Sequence, residues 1–105
     1  MPLDRKRRTF ALIIFCGLMG LYRCQEPKDL TTGEEIYRAY CVNCHGIDGS
    51  LSHSGALDLT QSRLPLEGRK DIIKHGRVTM MGFEGVLTDA QIDSVAVYTQ
   101  KLVKE

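Results

Sequence analysis

Two cysteines separated by two residues, with a histidine directly behind them, restrict this chain more than any other feature: Cys41-Val42-Asn43-Cys44-His45. The run sits in a chain of 105 residues whose first 23 read as a leader. Only roughly 80 residues then remain to fold, and a unit that small buries a modest core and leans on a staple such as a disulfide set, a metal or a cofactor.

The leader is expected from its charge and hydropathy. Arg5-Lys6-Arg7-Arg8 precedes residues 10–22, which are apolar and carry no charge. This is the basic and apolar pattern of an export signal. The apolar run is short of the about 20 residues that span a membrane comfortably. No small-x-small cleavage site follows it. Instead Leu21-Tyr22-Arg23 leads into Cys24, with Leu three residues before the Cys as in a bacterial lipobox. Cys24 is therefore the candidate lipid anchor, and an uncleaved membrane anchor is the alternative. The expected division is a leader over 1–23, a polar tether over 24–31 and one domain over 32–105, on the periplasmic side of a bacterial membrane.

Removing the leader changes the charge. It holds five bases and one acid, so the remainder carries twelve acids against nine bases. A mildly acidic domain argues against nucleic acid, which wants a basic face.

Of the four cysteines, Cys16 lies in the leader and Cys24 at its border, which leaves Cys41 and Cys44. Cys-x-x-Cys-His is the attachment signature of c-type haem. Two thiols at this spacing add across the two vinyl groups of one haem, and the next residue projects an imidazole toward the iron. Three other readings compete. A thioredoxin-like redox pair wants a βαβ context, and none is visible. A zinc site could draw on Cys41, Cys44, His53 and His75, at spacings that match no common finger. A plain disulfide between Cys41 and Cys44 makes no use of His45.

The rest of the chain predicts helices and loops. Residues 33–44 carry Ile36, Tyr37 and Tyr40 on one helical face, with Thr31 and Thr32 as candidate caps. Residues 46–55 are loop by composition, and 57–66 look irregular, broken by Pro65. A short helix is expected over 68–75, closed by Gly76. A second loop follows over 77–87. Thr88-Asp89-Ala90-Gln91 fits a capping box, and Ile92, Val95, Ala96, Thr99, Leu102 and Val103 form one stripe behind it. No strand run appears, so the expected fold is all-α with long loops.

The order of these motifs resembles a known family. Gly33-x-x-Ile36-Tyr37 comes first, then Cys41-Val42-Asn43-Cys44-His45-Gly46, Asp58-Leu59-Thr60 and Ile73-x-x-Gly76. Met80-Met81-Gly82-Phe83 and Leu87-Thr88-Asp89-x-Gln91-Ile92 complete it. Over about residues 32–103 the chain is similar to small mono-haem class I c-type cytochromes of bacteria. The resemblance implies the cytochrome c fold: three to four short helices, with long loops round one covalently bound haem c. It implies that the first and last helices cross, with Tyr37 and Tyr98 at the contact. It implies that a backbone carbonyl near Gly55-Ala56, which stands where the family often has Gly-Pro, orients the His45 imidazole.

Family register implies Met80 as the second axial ligand of the iron. It lies three residues before Phe83, and Leu87 keeps the family spacing beyond. Met81 is the second choice and stands where the family often has proline; His53 and His75 are further alternatives. The implied function is a one-electron carrier cycling Fe(III)/Fe(II), not an enzyme. The implied partners are redox proteins such as a respiratory complex, a terminal oxidase or a periplasmic dehydrogenase, with the membrane reached through leader or lipid. The competing reading is a haem enzyme subunit or ligand-binding sensor with a labile distal Met.

Overall fold

A computed structural model describes residues 29–105 of the chain. The expected leader, Cys16, the Cys24 lipid site and most of the tether lie outside the described residues. Four helices follow in order: α1 (Gly33–Tyr40), α2 (Val42–His45), α3 (Leu66–His75) and α4 (Asp89–Lys101). Two 3-10 turns, His53–Gly55 and Leu59–Gln61, lie between α2 and α3. There is no strand among the described residues; two isolated bridges, Arg77 with Met80 and Glu84 with Leu87, mark tight turns. None of these helices is long and apolar enough to cross a membrane.

Reciprocal caps begin both α1 and α4. Thr32 Oγ1 accepts the Glu35 N–H at 3.2 Å, and Glu35 returns a carboxylate oxygen to the Thr32 N–H at 3.2 Å. Thr88 and Gln91 repeat the device at 3.2 and 2.9 Å. The amide of Gln91 also donates to the Leu30 carbonyl at 2.9 Å, which ties the start of α1 to the start of α4. Leaving such backbone donors unpaired typically costs about 1 kcal/mol per cap.

The expected single helix over 33–44 is broken at Cys41, whose ψ of −26° is helical but whose φ opens to −112°. The ladder bends without stopping there: Cys41 N–H still reaches Tyr37 O at 2.9 Å, and His45 N–H reaches Cys41 O at 3.0 Å. Val42 and Asn43 are weak helix formers, so the chain gives way at this point. Pro65 plays the opposite role to the one expected. It occupies the residue before α3 with φ −67°, and the helix starts at Leu66 rather than Gly68. A fixed φ and a missing N–H suit a helix start, where that donor has no partner anyway. At the far end α4 stops at Lys101. Leu102 and Val103 bond three residues back, and Lys104 N–H turns aside to the Thr60 carbonyl at 2.9 Å.

The core sits where α1 crosses α4. Ile36, Tyr37, Val95 and Ala96 are fully buried there, with Ile73, Phe83, Leu87 and Ile92 around them. The helices meet backbone to backbone, because Gly33 lies against the Ser94 carbonyl with no room for a Cβ. Tyr37 and Tyr98 pack at 5.2 Å between ring centroids, tilted by 50°. This is the aromatic contact implied by the resemblance, in a geometry favoured by the ring quadrupoles. The loops between α2 and α4 hang from this crossing.

Candidate haem site

Helix α2 carries His45, a residue only 9% exposed. Its Nδ1 lies 3.1 Å from the Leu57 carbonyl oxygen. A carbonyl can only accept, so Nδ1 carries the proton and Nε2 keeps its lone pair. Burial pulls the imidazole below its ordinary pKa, and the Leu57 bond opposes that shift. The orienting carbonyl is thus one residue beyond Gly55-Ala56. It is delivered by a loop that folds back on itself: Leu51 N–H bonds His45 O, and Leu59 N–H bonds Gly49 O, each at 2.9 Å. Tyr37 fixes the other side of the histidine, its hydroxyl donating to Gly46 O at 2.6 Å.

Cys41 and Cys44 are both free thiols, the first half-buried and the second exposed. Burial, with Cys44 as its neighbour, pushes the Cys41 thiol up to about 11. A redox-active Cys-x-x-Cys pair needs a lowered pKa, so this environment disfavours the thioredoxin-like reading. His53 and His75 do not join the cysteines. Among the described residues no three His, Cys, Asp or Glu side chains come together as a metal site. His53 is exposed, and His75 pairs with Asp71 at 3.0 Å.

The two methionines separate. Met80 is half-buried and packs against the core, whereas Met81 is 64% exposed. Their loop is held by backbone. Arg77 and Met80 exchange two hydrogen bonds at 2.9 Å, Phe83 N–H bonds Ile73 O at 2.9 Å and Glu84 N–H bonds Lys74 O at 3.0 Å. The last two satisfy carbonyls at the end of α3 that a helix terminus leaves open. Gly76, at φ 80°, and Gly82 permit this close approach: a Cβ on Gly82 would lie 2.6 Å from the Lys74 carbonyl oxygen. Without a proline after Met80, these bonds set the loop's shape.

Several apolar side chains near His45 stay open to solvent. Tyr40, Ile47, Leu51 and Leu57 are each more than two-fifths exposed, though Tyr40 also meets the Phe83 ring edge-on at 5.7 Å. A flat apolar group would cover such side chains. Free thiols at the right spacing, a neutral imidazole with one nitrogen tied and the other free, and open apolar surface together fit a haem. Sequence reasoning reached a carbonyl near Gly55-Ala56 but not its identity as Leu57, and it missed the Thr79 hydroxyl bound to Ser54 O at 3.2 Å and the buried Arg69. Backbone acceptors and contacts between loops leave no residue-type signature.

A four-helix fold with a Cys-x-x-Cys-His run at the α1–α2 junction, and a half-buried methionine in the loop before its last helix, defines a c-type cytochrome domain. Residues 28–98 match the family described as cytochrome c oxidase, cbb3-type, subunit III, and the chain belongs to that family. Its cofactor is covalently bound haem c. The chain is 41% identical over 70 residues to dihydro-heme d1 dehydrogenase of Pseudomonas aeruginosa, a match that covers 63% of this chain and 14% of that protein. It is 32% identical over 76 residues to cytochrome c6 of Leptolyngbya boryana, covering 67% and 88%. With cytochrome c6 of Synechocystis it shares 27% over 93 residues, covering 83% and 77%. Among solved structures it is similar to the KustC0563 c-type cytochrome, with a TM-score of 0.64 and 23% identity, covering 70% of this chain and 99% of that one. The chain thus spans a small part of the dehydrogenase and most of a cytochrome c6. Its domain is that of an electron carrier.

Proposed function

We propose that the chain is a mono-haem one-electron carrier, with haem joined to Cys41 and Cys44 and with His45 and Met80 as axial ligands. The observation that carries this reading is the His45–Leu57 contact: a buried imidazole with Nδ1 held at 3.1 Å and Nε2 free. When bound, the haem supplies an iron that gains and loses one electron. The protein's residues do the rest. His45 is kept neutral and aimed by Leu57, and Met80 offers a soft thioether that favours the reduced metal and raises the potential. With His45 and Met80 both holding the iron, no position would be left for an outside ligand, which suits electron transfer over ligand chemistry. Backbone bonds on both loops limit how far the ligands move as the charge changes.

The test is intact mass and a visible spectrum of protein made with a haem-maturation system. The mass should exceed that of the apo chain by one haem, and Ser at both Cys41 and Cys44 should abolish the gain. A stable, fully folded chain that takes up no haem would overturn the reading.

A second reading draws on the match to a segment of a dehydrogenase, with Met81 where the family often has proline. In it, the domain serves a haem enzyme, or senses a ligand, through an exchangeable Met80. Ready carbon monoxide binding by the ferrous protein at neutral pH would favour it. For location we propose the periplasmic face of a bacterial membrane, with Cys24 lipidated. Cys24→Ser should then release the protein, and retention would favour an uncleaved leader. The proposed partners are a respiratory complex, a terminal oxidase or a periplasmic dehydrogenase.

A further inference from the structure

Ser54 and Val78 are the non-glycine residues with left-handed backbone among the described residues, at φ 55° and 52°. They are distant in sequence, yet they flank one hydrogen bond. Thr79 Oγ1 donates to the Ser54 carbonyl oxygen at 3.2 Å. A β-branched residue at positive φ is strained, and Val78, 98% exposed, has no packing to offset it. The tight turn closed by Arg77 and Met80 imposes that conformation and so aims Thr79 across the gap. On the other side Gly55, at φ 81°, leaves the approach open; a Cβ there would sit 3.3 Å from Thr79 Oγ1.

One end of this bond lies on the loop that orients His45, the other on the loop that bears Met80. Ser54 lies three residues before Leu57, whose carbonyl holds His45. Thr79 directly precedes Met80. Among the described residues it is the only hydrogen bond joining residues 46–57 to residues 76–87. We propose that Thr79 is a positioning residue: its hydroxyl latches the Met80 turn to the loop that orients His45, and thereby sets how readily Met80 leaves the iron. This rests on the His45/Met80 reading above. Both partners are exposed, so water competes for the bond. An external ligand binds only the fraction of molecules in which Met80 has swung away, and its apparent affinity reports that fraction.

The experiment titrates ferric holoprotein with imidazole and follows loss of the weak far-red sulfur-to-iron absorption. Thr79→Val keeps the shape and removes the hydroxyl; Thr79→Ser restores it. Thr79→Val should bind imidazole on the order of fivefold more tightly, the scale of one modest hydrogen bond. Thr79→Ser should match the parent. Equal affinity in parent and Thr79→Val overturns the latch, as does Thr79→Ser behaving like Thr79→Val. Met80→Ala separates the two ideas. If it abolishes the far-red band while Thr79→Val changes nothing, the ligand assignment stands and the latch alone falls. If the band survives in Met80→Ala, both fall.

Discussion

Arg69 donates to Thr99 Oγ1 at 3.2 Å inside the α3–α4 contact, and both side chains are buried. The other guanidinium nitrogens reach Leu64 O at 2.9 Å and Ser62 O at 3.1 Å. All three acceptors are neutral, so the cation serves as a branched hydrogen-bond donor that fixes residues 62–66 to the helices. Arg69→Met fills similar space but leaves two carbonyls without partners. It should destabilise the holoprotein by about 1–3 kcal/mol, measured as a lower denaturant midpoint. An unchanged midpoint would show that water replaces the guanidinium at no cost.

Gly33 lets α1 and α4 touch through their backbones. A Cβ there meets the Ser94 carbonyl, which belongs to rigid helix and cannot swing aside. Gly33→Ala should therefore part the helices and cost about 1–3 kcal/mol, as overpacking does. The measurement is thermal unfolding, with near-ultraviolet dichroism of the Tyr37–Tyr98 pair as the local signal.

At Gly82 the same substitution should act on the site instead. A Cβ would press on Lys74 O and on the His75 carbonyl carbon, each 2.6 Å away, and push the Met80 loop off the end of α3. With Met80 on the iron as proposed, Gly82→Ala should weaken the far-red absorption of the ferric protein and open the iron to carbon monoxide. A parent-like spectrum would mean that the loop holds Met80 without this contact.

Charge gives a prediction about encounter. Beyond the leader, acids outnumber bases by three. Reaction with a cationic redox partner should slow as ionic strength rises, because screening acts over about 8 Å at physiological salt. Stopped-flow rates that stay flat across the salt series would remove electrostatic steering from the account.

What the sequence made legible was chemistry held in adjacent residues. Thr88 and Gln91 announce their capping box because both halves lie within one turn. Cys41, Cys44 and His45 announce themselves because thioether attachment demands that spacing. Tyr37 and Tyr98 were reached through family register, not through any local pattern. Pro65 was misjudged because proline both breaks helices and begins them, and only the chain behind it decides which. Which carbonyl near Gly55-Ala56 holds His45, and the Thr79–Ser54 bond, were out of reach for a different reason. They depend on how two loops meet, and many residue types could supply either acceptor. Arg69 hid in plain view, since a charged residue on a short helix is ordinarily solvated.

The crossing of α1 and α4 joins the first helix of the domain to the last. Synthesis runs from the N-terminus, so Cys41, Cys44 and His45 exist before α4 does. During that interval Ile36 and Tyr37 lack Val95 and Ala96 to bury against, and the short α1 has little to hold it. The crossing cannot close without Val95 and Ala96. In the closed domain Cys44 stays exposed while Cys41 is half-buried, so the crossing shields the two thiols unequally, and the first of the pair is the one more open to haem before the helices meet.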